Sequence, residues 1–224
     1  VPAATVDRDD PAHPGQAVYT RGFLSAYDAF VYGFNHPVLW RCSKARLVEH
    51  YDEHLSARHL DIGVATGALL DAATFPVPDP EVTLMDLNPN SLAAASARIA
   101  RYEPRTHQAN VLDDWRLEPG TYESVAMTNL LHCLPGPMSA KGVAFEHAHR
   151  ALTPGGTLFG VTILGKDVDR SPLAAAFIEL SNARGILDNR TDGPAELDAA
   201  LGAVFPDRTI RIRGLLALFT ARRS

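Results

Sequence analysis

The chain has 224 residues, 46% of them hydrophobic, and a formal net charge of −5. That length can bury one sizeable α/β core, and the lack of a lysine or arginine block argues against a nucleic-acid backbone as partner. No apolar run nears the ~20 residues of a membrane span, no signal peptide opens the chain, and Cys42 and Cys133 lack metal-type spacing, so a cytoplasmic protein without membrane contact is expected.

Residues 1–17, rich in Pro, Ala and Asp, read as a mobile tail, and 18–224 as one domain made of a helical cap (18–56) and a core (57–224). In the cap, Phe23, Tyr27, Phe30, Val31 and Phe34 fall at helical spacing, and Asn35-His36-Pro37 breaks the helix. A second helix is expected over 38–55, with Val48, Tyr51 and Leu55 on one stripe. These helices precede the first strand and are free to lie over the carboxyl edge of a sheet. Most of their aromatics read as core, whereas Tyr19, Tyr27, Asp28, Trp40 and Arg41 are the cap residues placed to reach a ligand. His50-Tyr51-Asp52-Glu53-His54 matches the H-x-x-E-H zinc-protease pattern. The helix runs straight into the next strand, which leaves no room for that scaffold. The segment reads as a solvated charged face, and no metal site is expected.

Leu60 to Val64 is a short apolar run followed by small residues at Gly63, Ala65 and Gly67, which predicts a buried strand, a tight turn and a helix over 68–73. Such a turn presents backbone N–H groups and a helix N-terminus to a ligand. Asp61 lies just before the bend. A second strand over 82–85 ends in Asp86, about 20 residues past the glycines, where a ribose-binding acid belongs. Asn88-Pro89 then opens a helix to residue 102, Asn as cap and Pro at the first turn.

Residues 105–109 form a third expected strand, ending at Asn110-Val111. Residues 122–128 form a fourth, running into Asn129-Leu130-Leu131-His132. Ligands of open α/β sheets bind outside the carboxyl ends of strands, which puts Asn129 and His132 near one, although a surface turn is an equal reading of His132. A helix with Ala144, Ala148 and Ala151 buried stops at Pro154-Gly155-Gly156 before an apolar strand over 157–164. Ser171-Pro172 starts a helix expected to turn Leu173, Phe177 and Leu180 inward, and another spans 194–205. The closing strands, 208–213 and 215–220, are joined by too short a turn for a parallel crossover and must be antiparallel.

Asp61-x-Gly63-x-Ala65-x-Gly67, Asp86 at the next strand end, and Leu152-Thr153-Pro154-Gly155-Gly156-Thr157-Leu158 resemble the motifs of class I S-adenosylmethionine (SAM) methyltransferases. The departure is Ala65 in place of the middle glycine. The resemblance runs from about Tyr19 to the C-terminus and implies a Rossmann-like, seven-stranded, mostly parallel sheet with a C-terminal antiparallel hairpin and an N-terminal helical cap. It implies SAM as cofactor and S-adenosylhomocysteine as product. The cofactor would be held by Asp61, Gly63, Ala65, Gly67, Asp86, Leu87 and Asn129, by Asn110 and Val111 at the adenine, and by the cap residues Tyr19, Trp40 and Arg41. His132, Tyr27 and Asp28 are the candidates for proton removal from the acceptor. The cap and the stretch from Asn129 to Gly136 are further similar to actinobacterial small-molecule methyltransferases, indole C3-methyltransferases among them. A small aromatic acceptor is therefore expected, with a phenolic O-methyltransferase as the alternative and oligomerisation left open. A nicotinamide oxidoreductase and a SAM-binding regulator without turnover are the readings from other classes.

Overall fold

The computed structural model describes residues 21–224. The expected tail and Tyr19 lie outside the described residues, as does the side chain of Phe23. Helix α1 (Arg21–Phe30) continues into a π-helical segment, Val31–Leu39, followed by α2 (Lys44–Asp52). The core then alternates β1 (Arg58–Ile62), α3 (Ala68–Ala72), β2 (Glu81–Asp86), α4 (Pro89–Arg98), β3 (Arg105–Gln108) and β4 (Tyr122–Thr128). It continues through α5 (Met138–Lys141), α6 (Val143–Ala151), β5 (Leu152–Ile163), α7 (Pro172–Ala183), α8 (Pro194–Gly202), β6 (Asp207–Arg213) and β7 (Leu216–Arg222).

Among the described residues the strands form one seven-stranded sheet in the order β3-β2-β1-β4-β5-β7-β6. The first five are parallel, and β7 runs antiparallel to both β5 and β6. Parallel strands must be covered on both faces, which is why β1, β4 and β5 are almost wholly buried toward their carboxyl ends. Leu47, Leu70, Leu84 and Phe159 pack on one face, and Ile62, Met85, Phe145 and Phe219 on the other. The strand order reverses between β1 and β4, so the crevice for a ligand opens at their carboxyl ends.

Local chemistry accounts for the helix starts. Asn88 caps α4 by accepting from the Asn90 amide at 2.9 Å, and Ser171 caps α7 by accepting from Ala174 at 3.2 Å. Three expectations need correction. Pro37 does not break the cap helix but sits inside the π-helical segment, where the Trp40 amide reaches back to the Asn35 carbonyl at 2.9 Å. The second helix is consequently short, beginning at Lys44 rather than near 38. In α7 the buried side chains are Ala174, Ile178, Ser181 and Asn182, while Leu173 and Leu180 are exposed and Phe177 packs against the core edge. The stripe lies one residue along from the expected one.

Candidate functional site

β1 ends in Asp61 and Ile62, and the chain then bends through Gly63, Ala65 and Gly67 with φ of 75°, 46° and 71°. The bend needs its small residues for space as well as conformation. A Cβ on Gly63 would lie 3.0 Å from Leu130 Cδ1, and one on Gly67 3.1 Å from Ala95 Cα. Ala65 holds the same left-handed conformation with a methyl attached, which is strained for an alanine.

Above this bend opens a cleft with about 900 Å³ of empty space, counted to its mouth. Its floor is the bend with Asp61 and Asp86, one side is Leu87, Asn110 and Val111, and the other is Asn129, Leu130 and Cys133. Tyr27 from α1, Tyr32 from the π-helical segment and Tyr51 from α2 close it from the cap. The cleft thus stands at the carboxyl ends of β1, β2 and β4.

Each polar group on this wall has a definite state. The Tyr51 hydroxyl donates to the buried Asp61 carboxylate at 3.3 Å. Burial pushes the Tyr32 and Tyr51 phenols well above their usual value, so both stay neutral donors. The Asp86 Oδ1 accepts from the Asn88 amide at 2.8 Å. Burial nevertheless raises Asp86 to about 6, against the opposing pull of the Asn88, Ala65 and Val64 amides and with help from the Asp61 charge. Asn110 turns its own side-chain oxygen to the Leu112 amide at 3.0 Å, so it shapes the strand exit as well as lining the cleft.

Asn129 adopts φ 59° at the end of β4, a conformation that asparagine tolerates better than most residues. Its Nδ2 lies 3.1 Å from Nε2 of His36, and its Oδ1 is buried without a hydrogen-bond partner among the described residues. His36 is itself buried, stacks on Tyr32 with ring centroids 5.3 Å apart, and is held neutral, down to about 4, by burial.

A family model described as a methyltransferase domain matches residues 60–158. The demethylluteothin O-methyltransferase of Streptomyces thioluteus is 43% identical, over 98% of this chain and 96% of its own. The physcion biosynthesis cluster O-methyltransferase of Aspergillus chevalieri is 34% identical, over 95% and 96%. Among solved structures, the N-methyltransferase NodS from Bradyrhizobium japonicum in complex with S-adenosylhomocysteine superposes with a TM-score of 0.58 at 16% identity, over 80% of this chain and 85% of that one. The chain belongs to the class I SAM-dependent methyltransferases.

Of the cofactor residues expected in this methyltransferase, Asp61, Gly63, Ala65, Gly67, Asp86, Leu87, Asn110, Val111 and Asn129 all meet at the one cleft. The partnerless Asn129 Oδ1 suits an ammonium donor, and the Asp86 carboxyl suits the paired hydroxyls of a ribose. The geometry therefore fits the family's cofactor. Tyr27 also lines the cleft.

Four other residues do not face it. His132 is buried under the chain after β4, where its Nδ1 accepts from the Ile163 amide at 3.1 Å and lies 3.3 Å from the Thr162 hydroxyl. Burial, aided by the Lys141 charge, drives it down to about 3, so it is neutral and latched to β5. Asp28 has both carboxylate oxygens engaged, accepting from Thr66 Oγ1 and Arg98 Nη1 at 2.6 Å each, and thereby ties α1 to the bend and to α4. Trp40 is buried edge-on to Phe177, with its carbonyl accepting from the Leu215 amide at 3.0 Å. Arg41 is exposed, and its guanidinium donates to the Asp169 carbonyl. The β6–β7 turn has drawn this pair away, since Gly214 packs directly on the Trp40 carbonyl and the Arg41 Cβ.

The sequence reading missed Tyr32 and His36 as members of the site. Aromatic periodicity in the cap named neither, and His36 read only as part of a helix break. Tyr51 was placed on a buried stripe, which is right for its ring, while its hydroxyl reaches the cleft. The solvated face expected for the H-x-x-E-H segment is also corrected, because His50 is buried with its Nε2 3.2 Å from the Phe219 carbonyl. Among the described residues, no helix is long and apolar enough to cross a membrane.

Proposed function

We propose that this methyltransferase moves the methyl group of SAM to a hydroxyl oxygen of a small, flat, mostly apolar metabolite of the kind made in secondary metabolism. The observation that carries this is the 43% identity, over nearly the whole of both chains, to a relative named as the O-methyltransferase of demethylluteothin. The second relative is also named an O-methyltransferase, so oxygen displaces indole C3 as the acceptor atom. The neutral, aromatic cap wall supports an apolar acceptor.

Bound SAM supplies an electrophilic methyl on a sulfonium. The residues do the rest. Asp86 would receive the ribose hydroxyls, Asn110 and Val111 would border the adenine, and Asp61 with Asn129 would receive the amino-acid end. Leu130 and the bend crowd the floor. Tyr27 would orient the acceptor oxygen, whose proton passes to solvent at the cleft mouth as the bond to the methyl forms and the carbon–sulfur bond breaks. The cap excludes water and holds the two reactants in line, and such positioning supplies much of the acceleration in a displacement of this type.

The test is a panel of hydroxylated aromatic and conjugated-ring metabolites incubated with trideuteromethyl-labelled SAM, with products located by mass spectrometry and NMR. A labelled methoxy group on at least one acceptor is the expected result. A label on carbon or nitrogen would move the assignment to another atom, and cofactor binding without product from any acceptor would favour a regulator.

A further inference from the structure

A second cluster lines a groove that shares no residue with the cleft. At the end of α2 His50, Glu53 and His54 occupy positions i, i+3 and i+4, which share one face. One ligand atom from each lies within 4.8 Å of the other two, the only such group of three among the described residues. We propose that His50, Glu53 and His54 bind a divalent transition-metal ion of the zinc class.

The hydrogen bonds around the two rings carry the inference beyond the motif. His50 Nε2 lies 3.2 Å from the Phe219 carbonyl and His54 Nδ1 lies 3.0 Å from the His50 carbonyl. A carbonyl only accepts, so each of these nitrogens carries the proton. On this assignment the lone pairs fall on His50 Nδ1 and His54 Nε2, with the Gly160 backbone a further partner of the His50 ring. This is the arrangement found around metal-bound imidazoles, where the second ring nitrogen donates to a carbonyl or carboxylate and fixes ligand and tautomer together. His54 Nε2 is met at 3.1 Å by the Thr220 hydroxyl, a weak donor that a metal ion would displace from that lone pair. Tetrahedral zinc with ligands at ~2.1 Å sets them about 3.4 Å apart, inside the 4.8 Å within which one ligand atom of each residue already lies, so side-chain rotation would bring the three onto an ion.

The surroundings select the class of ion. Arg46, Arg211 and Arg213 line the same groove, with Arg46 paired to Glu49 at 2.7 Å. Their charge opposes hard cations such as Mg²⁺ and Ca²⁺, which bind through carboxylate charge, and leaves ions that gain from imidazole bonding. Glu53 serves here as the third ligand and no hydrolysis is implied. A bound ion would fasten the last turn of α2 to β7, the strand that carries Phe219 and Thr220.

The test uses the metal-free, untagged full chain, titrated with Zn²⁺, Co²⁺ and Mg²⁺ by calorimetry and thermal melting. One equivalent of Zn²⁺ at micromolar affinity, a raised Tm, nitrogen-type visible bands with Co²⁺ and no response to Mg²⁺ are expected. His54→Ala should weaken zinc binding at least about tenfold and abolish the Tm shift. Should that variant not fold, His54→Gln and Glu53→Gln take its place. An unchanged zinc isotherm in a folded variant, no saturable zinc binding, or equal binding of Mg²⁺ would overturn the proposal. S-adenosylhomocysteine affinity, read in parallel, reports on the cleft independently.

Discussion

The side-chain amide of Asn129 is held 3.1 Å from the imidazole of His36, joining the end of β4 to a residue 93 positions earlier in the cap. This contact orients Asn129 and leaves its Oδ1 for a ligand. His36→Ala should therefore weaken S-adenosylhomocysteine binding about tenfold, the usual cost of freeing one buried polar partner. Calorimetry measures it. An unaltered affinity in a folded variant would remove His36 from the positioning role.

His132 and Tyr27 should behave in opposite ways. Truncating the latched imidazole, His132→Ala, strands the Ile163 amide and opens a cavity, which costs about 2–4 kcal/mol of stability. The pH–rate profile of the folded enzyme should keep its shape, because an imidazole titrating near 3 contributes nothing at working pH. Tyr27→Phe should leave cofactor affinity near wild type and lower kcat about tenfold. Denaturation and steady-state kinetics on both variants separate the two roles.

Asp86 makes cofactor affinity depend on pH. Its free-state value of about 6 must fall when hydroxyl donors engage the ionised form, so binding is full above pH 7 and weakens as pH drops through 6. At pH 5 the loss should approach about tenfold, and Asp86→Asn should flatten the curve at low affinity. The sign for stability is the reverse of the usual carboxylate. A folded-state value above the ordinary 3.8 means that ionisation opposes folding, not at all below pH 4 and fully above pH 6. Asp86→Asn should thus raise the Tm of the ligand-free protein at pH 8 and leave it unchanged at pH 3.5.

Ala65 carries a methyl at φ 46°, where glycine is at ease. Ala65→Gly should stabilise the fold by about 0.5–1 kcal/mol, since relief of left-handed strain exceeds the extra entropy of the unfolded chain. Binding of S-adenosylhomocysteine should hold or tighten. A lower Tm would show that the methyl fills a contact that offsets its strain.

The strand-tip acids and the small-residue bend were legible because their chemistry is local: Asp61 to Gly67 turns within seven residues, and Asp86 follows one β-α-β unit later. The antiparallel close of the sheet was legible for the same reason, as only a hairpin fits so short a turn. What escaped depends on contacts across the chain. Whether His36 or His132 stands behind the cleft is decided by which neighbours, Asn129 or Ile163, take up the ring. Trp40 and Arg41 lost their expected place to Gly214 and Leu215 in the last hairpin, far along the chain. Pro37 reads as a stop in any α-helix, and its accommodation in wider winding is not encoded by periodicity at 3.6.

That wider winding sets the phase of the cap. Each residue gained or lost along a helix rotates everything beyond it by about 100°. The stretch Val31–Leu39 carries Tyr32 to the cleft and His36 to Asn129 while Leu39 points into the core. Excising one residue there would let the coil tighten and swing the phenol and the imidazole off their marks together, with every strand untouched. The shape admitted above the bend is thus governed by the angular pitch of nine residues, a dial that single-residue insertions and deletions can turn.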